Sequence, residues 1–336
     1  MKNWFFGLLS LMLTSVSAQE LNDYSVAENV LWASPDGFDL TMDIYTPDTG
    51  RDAYPVLVIF HGGGWLINNK SIMNDMAKYA VEHGEYVVCN VNYRLLVDQN
   101  NTVTMDQIVE DVLGAVLWVQ TNIGAYKGDP TKVAVTGDSA GGHLAEMVLI
   151  GGSQLSSTGF DEQPLGFRPS YLPDGVTCDQ LMKRGGIEVQ GAVISYGAFD
   201  LYASAKGGFE EPSNVFWQMG GAKPRGIFGA GKNVTSHPTL YQLVSPIYNV
   251  PLSYERKLPP QLFTVGSKDN LTTPELVSAY VETLREAGQD VTYWVHEGRP
   301  HAFMDSGKND FLGISWEQDG VPAMKKVMQF LDEIFY

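Results

Sequence analysis

Residues 55–60, 86–91, 132–136, 191–195 and 261–265 are near-continuous apolar runs, and they set the tightest limit on how this chain can fold. Strands that read this way are covered on both faces, which points to a parallel sheet rather than a half-wet antiparallel one. Helical patterns separate them. Over 106–123, Ile108, Val109, Val112, Ala115, Val116, Val119 and Ile123 recur every three to four residues. Pro274 opens another helix in a first-turn position, with Leu276, Val277, Tyr280, Val281 and Leu284 on one face and Gly288 at its end. A further strand is expected over 290–296 and a closing helix over 321–335. Ahead of these, the alternation across 29–32 and 38–45, broken by Asp36-Gly37, predicts an antiparallel hairpin. Strand and helix alternate as in an α/β sheet wrapped on both faces by helices.

Two stretches break the rhythm. Residues 151–190 and 202–258 are rich in Gly, Pro, Ser and aromatics and lie between core strands, so they read as insertions that carry short helices or cover a functional face. The first 18 residues stand apart as well. Lys2, an apolar stretch from Trp4 to Leu13, and Val16-Ser17-Ala18 have the order of a secretory signal peptide cleaved near Ala18, leaving 19–336 as one domain, secreted or periplasmic. The apolar stretch is shorter than the roughly 20 residues a bilayer-spanning helix needs. Cys89, inside an apolar run, and Cys178, in a polar stretch, read as two unpaired thiols. With 39 acidic against 22 basic residues and no basic run, the chain repels phosphate backbones, so nucleic acid is not an expected partner.

Two glycine-rich segments carry the chemistry. Gly137-Asp138-Ser139-Ala140-Gly141-Gly142 falls where the run 132–136 gives way to a helical pattern. A sharp turn there needs small flanking residues and lifts the Ser139 hydroxyl above the sheet, with a helix N-terminus behind it; otherwise it is a glycine turn with a capping serine. His61-Gly62-Gly63-Gly64-Trp65 follows the run 55–60 directly. Consecutive glycines let a backbone approach a ligand closely and aim successive N–H groups into one cavity, as a developing oxyanion requires.

On these motifs the chain resembles the α/β-hydrolase superfamily, and within it the hormone-sensitive-lipase-like carboxylesterases marked by His-Gly-Gly-Gly and Gly-Asp-Ser-Ala-Gly-Gly. The resemblance implies an α/β-hydrolase fold with Ser139 as nucleophile. It also implies an oxyanion hole from the N–H groups of Gly63 and Ala140, with Gly62 or Gly64 contributing, while His61 holds its loop. For the general base, His61 and His143 sit inside the motifs, His83 precedes a Gly at a helix end and His237 lies in an insertion. His296, at a strand end, and His301, in the turn-forming Gly298-Arg299-Pro300-His301, remain, and the turn favours His301. The family usually has Gly after this His, whereas this chain has Ala302. The orienting acid is expected at Asp269, which matches the family's Gly-x-x-Asp-x-Leu in Gly266 to Leu271, with Asp200 as runner-up.

The implied activity is hydrolysis of short-chain or aromatic carboxylic esters through an acyl-enzyme, with no metal and no cofactor. The substrates are expected to be small esters or esters on plant polysaccharides carrying acetyl or feruloyl groups. Trp65, Phe216 and Trp217 are candidate pocket walls, although aromatics in insertions also build local cores. An arylformamidase-like amide hydrolase and a non-catalytic hydrolase-like binding protein are the alternative readings.

Overall fold

The computed structural model describes residues 21–336; the expected signal segment lies outside the described residues. Among the described residues, eight strands form one sheet: β1 (Tyr24–Ala33), β2 (Leu40–Pro47), β3 (Tyr54–Phe60), β4 (Val87–Val91), β5 (Gly128–Asp138), β6 (Gly191–Ser195), β7 (Gln261–Gly266) and β8 (Val291–His296). Their spatial order is β1-β2-β4-β3-β5-β6-β7-β8. The N-terminal hairpin pairs antiparallel and joins β4 antiparallel, and every pairing from β4 to β8 is parallel. The expected α/β architecture is thus present, antiparallel hairpin included.

Every residue of β3, β4, β6 and β7 is buried, which is why those runs carry no polar alternation. At the edge, β8 is only half-buried. The registers matter more for the site. Phe60 pairs with Gly137, Asp138 with Ser195, and Gly266 with His296, so the chain leaves β3, β5, β6, β7 and β8 along one edge of the sheet. From β3 the chain crosses to β4 on one side, and it leaves β5 for β6 on the other. The C-terminal ends of β3 and β5 therefore flank a topological switch point, where open α/β sheets bind ligands.

Helices flank the sheet. The Met105–Asn122 helix opens on a Thr104/Gln107 capping box and buries Ile108, Val109, Val112, Ala115, Val116 and Val119. The Pro274–Glu286 helix has Pro in its first turn and Thr273 as N-cap, accepting from Leu276 N–H, and Val321–Phe335 closes the fold. Both insertions contain short helices: Cys178–Met182 in the first, Val215–Met219 and Pro238–Leu243 in the second. Cys89 and Cys178 are both buried free thiols.

Candidate active site

Ser139 is the single residue between the end of β5 and the Ala140–Gly151 helix. Its backbone sits at φ 51°, ψ −116°, a region that costs a side-chain-bearing residue on the order of 1–3 kcal/mol and persists only when its surroundings enforce it. The enforcement is local. Ser139 N–H donates to the Ser195 carbonyl at 2.9 Å, and His143 N–H to the Ser139 carbonyl at 3.1 Å. A Cβ on Gly141 would collide with the Phe60 carbonyl oxygen, so β3 and the helix approach each other only because that position is glycine.

The Ser139 hydroxyl is 2.9 Å from His301 Nε2, and His301 Nδ1 is 2.7 Å from Asp269 Oδ2. Asp269 is 4% exposed and well satisfied: its other oxygen accepts from the N–H groups of Leu271 and Thr272, each at 2.9 Å. Lys268 N–H donates to the Arg299 carbonyl at 2.9 Å, which ties the acid's loop to the histidine's. The other candidates are engaged elsewhere. Asp200 Oδ1 caps the Leu201–Lys206 helix through Ala203 N–H at 2.8 Å, and Oδ2 accepts from the Tyr248 hydroxyl at 3.0 Å. His296 Nε2 faces the Asp319 carbonyl at 3.0 Å. His61 is buried, with Nδ1 2.7 Å from the Gly62 carbonyl, and burial lowers its pKa to about 4. Ala302 adopts φ 67°, the conformation that a glycine would take without strain.

Gly62, Gly63 and Gly64 lie between His61, which follows β3, and Trp65. Gly62 passes so close to the buried Asp138 carboxylate that a Cβ there would collide with Oδ2. Gly63, at φ 121°, folds against the Ile67 carbonyl, where a Cβ has no room. Among the described residues, the N–H groups of Gly62, Gly63 and Gly64 find no acceptor within the protein. Ala140 follows Ser139 as the first residue of the Ala140–Gly151 helix, where backbone N–H groups have no intrahelical acceptor.

The three aromatic pocket candidates separate. Phe216 is half-buried and lies over the glycine loop, where a Cβ on Gly64 would come within 2.7 Å of its ring. Trp217 corrects the expectation: it is 0% exposed, donates its indole N–H to the Phe209 carbonyl at 2.9 Å, and sits beneath the Arg225 guanidinium. It belongs to the insertion's own core. Trp65, at 4% exposure, is likewise interior, with its N–H directed at His143.

Other neighbours of the triad were not anticipated. Thr272 Oγ1 donates to the Tyr196 carbonyl at 2.8 Å and lies 3.1 Å from Asp269 Oδ2 and 3.2 Å from His301 Nδ1. The Tyr196 ring meets His301 edge-on at 4.8 Å. Burial pushes Asp138 up to about 6, and burial together with Asp138 pushes Asp305 well above the usual carboxylate range. The sequence Asp269-Asn270-Leu271-Thr272 does carry one usable signal, since Asp two or three residues before free N–H groups forms an Asx turn.

A protein-family model described as BD-FAE matches residues 42–284. The esterase LipQ of Mycobacterium tuberculosis (strain ATCC 25618 / H37Rv) is 28% identical over 300 residues, covering 83% of this chain and 60% of LipQ. The carboxylesterase NlhH of Mycobacterium tuberculosis (strain CDC 1551 / Oshkosh) is 33% identical over 122 residues, covering 35% of this chain and 37% of NlhH. The chain thus spans between about a third and three fifths of the length of these curated relatives. Among solved structures, a truncated carbohydrate esterase from gut microbiota superposes with a TM-score of 0.63 at 21% identity, covering 94% of this chain and 98% of that one. Thermogutta terrifontis esterase 2 phosphonylated by sarin gives 0.62 at 20% identity, covering 92% and 95%. At such identities the likeness is one of fold.

Proposed function

Because the chain belongs to the BD-FAE family and has the α/β-hydrolase fold, we propose that it is a serine carboxylesterase acting through an acyl-enzyme. The observation that carries this reading is the continuous line from Ser139 Oγ to His301 at 2.9 Å and on to Asp269 at 2.7 Å, beside N–H groups with no partner of their own. The esterase names of LipQ and NlhH support it.

His301 Nε2 takes the Ser139 proton as Oγ attacks the ester carbonyl. The oxyanion that forms is met by the N–H groups of Gly63 and Ala140, with Gly62 or Gly64 contributing. Each well-aligned donor contributes about 3 kcal/mol to the transition state. His301 then protonates the departing alcohol, and water repeats the sequence on the acyl-enzyme. Asp269 keeps Nδ1–H in place and stabilises the imidazolium without taking its proton.

The substrate reading is neutral short-chain or aromatic esters, including acyl groups on polysaccharides, met after export with cleavage near Ala18, by residues 19–336 acting as one catalytic unit. Phe216 over the glycine loop supports an aromatic or short acyl group, and the carbohydrate-esterase title of one structural neighbour supports a sugar-linked alcohol. The test is a panel of acetyl, butyryl, feruloyl and long-chain esters, with acetylated xylan alongside. Turnover of the short or aromatic esters and release of acetate from the polymer are expected. A preference for long acyl chains would overturn the substrate reading.

A further inference from the structure

His143 lies four residues after the nucleophile, inside the Ala140–Gly151 helix, where a polar side chain at 0% exposure needs partners for both ring nitrogens. It has them. The indole N–H of Trp65 donates to His143 Nδ1 at 3.2 Å, and His143 Nε2 is 2.8 Å from the Val244 carbonyl. An indole nitrogen only donates and a carbonyl only accepts, so one protonation state fits: neutral imidazole with its hydrogen on Nε2. A second proton would set two N–H groups against each other. Burial, which lowers the His143 pKa to about 4, acts in the same direction.

Three parts of the site meet on that ring. Trp65 ends the glycine loop, and its backbone is itself left-handed at φ 60°, directly after Gly63 at φ 121° and Gly64 at φ 59°. Three such residues in a row hold only if something outside fixes them, and at Trp65 the penalty is not relieved by the absence of a side chain. The Trp65 ring is fixed edge-on by His143 at 5.2 Å and by Phe209 at 5.5 Å, and its carbonyl accepts from Leu96 N–H at 2.8 Å. Val244, at the other end of the link, belongs to the second insertion. Its neighbour Ser245 accepts from the N–H groups of Leu201 and Tyr202 at 2.9 and 3.1 Å, anchoring that segment beside β6.

We infer that His143 is a positioning residue: one buried, neutral imidazole holds the oxyanion loop in register with Ser139 and fastens both to the insertion through the Val244 carbonyl. This rests on the esterase reading above. It differs from ordinary core packing in what it predicts, because N–H groups aimed at an oxyanion act on the transition state and hardly at all on the bound ester.

The test compares Trp65→Phe, which removes one N–H and keeps an aromatic ring, with His143→Phe, which removes both bonds, and His143→Gln, which keeps an acceptor and a donor. For a short-chain p-nitrophenyl ester, Trp65→Phe and His143→Phe should each lower kcat about 10- to 100-fold with KM within about threefold. Combining the two should cost little more than the worse one alone, and His143→Gln should recover most of the rate. Wild-type kcat in Trp65→Phe, or a loss confined to KM or to Tm, would overturn the inference. A readout independent of turnover is the imidazole nitrogen shifts of His143, expected to report the neutral Nε2–H form from pH 5 to 9. The Trp65 indole N–H resonance should resist exchange in the parent and lose that protection in His143→Phe. A charged ring or an unprotected indole proton overturns the inference even if the parent turned over no ester, an outcome that would separately overturn the esterase reading.

Discussion

From Phe60 to Trp65 the chain passes Asp138 and Ile67 on three glycines, and from Gly137 to Gly141 it turns on the one strained residue Ser139. Between Phe209 and Tyr241 the second insertion instead fills its space with side chains: Trp217, Phe228 and Tyr241 are buried, and Arg225 donates to the carbonyls of Leu96, Asn101, Val103 and Gly226. The first region is held by close approaches at its glycines that tolerate no added atom, with the Trp65 side chain fixing the end of the loop. The second is held by side-chain packing, in which many sequences of similar volume would serve. The proposed chemistry, which needs atoms placed within fractions of an ångström, sits on the first, and the second meets it at Phe216, whose ring lies over Gly64.

The comparison predicts unequal responses to substitution. Asp269→Asn should lower kcat about 10³- to 10⁴-fold by favouring the wrong His301 tautomer, whereas Asp200→Asn should leave kcat within about twofold. Equal losses from both, measured on one short ester, would erase the distinction between the two acids.

Glu146, on the nucleophile helix, is fully buried with Oε1 2.7 Å from the Tyr280 hydroxyl, and burial pushes its pKa from 4.5 up to about 7. The folded state therefore holds this proton more tightly than the unfolded chain does. Its contribution to stability is complete below about 4.5 and disappears as pH rises through about 7. Glu146→Gln should remove that loss, gaining on the order of 2 kcal/mol over the parent at pH 8 relative to pH 5. Denaturant unfolding at the two pH values reads it, and parallel curves for parent and variant would contradict it.

On the insertion side, Phe216→Ala should change kcat/KM about tenfold, unevenly across acyl groups, with Tm nearly unchanged. A uniform loss across the ester panel would mean that the ring serves the glycine loop rather than selection. Smallest is Ala302→Gly. At φ 67° the methyl costs about 1 kcal/mol, partly offset by the greater freedom glycine gives the unfolded chain, so a net gain of about 0.5 kcal/mol or less in unfolding free energy is expected.

How much was legible follows the same division. The strand-Ser139-helix turn and the glycine loop are written in local sequence, because crowding leaves glycine as the only workable residue at positions such as Gly141. His301 is expected from its turn-forming context after the last strand and Asp269 from the match of Gly266 to Leu271 with the family's Gly-x-x-Asp-x-Leu. The isolation of Asp200, the interior position of Trp217 and the contacts of Thr272 come from packing between segments distant in the chain, and no local pattern encodes them. Ala302 lies between these cases, since the departure from glycine was visible in the sequence and its left-handed backbone was not.

The most direct test of the central claim is covalent labelling with a fluorophosphonate, followed by mass-spectrometric mapping of the modified peptide. One label per chain on Ser139 is expected, absent in Ser139→Ala and slowed at least about 10³-fold in His301→Ala, with both variants still folded by circular dichroism. Labelling on another residue, or none on the folded parent protein, would contradict the account.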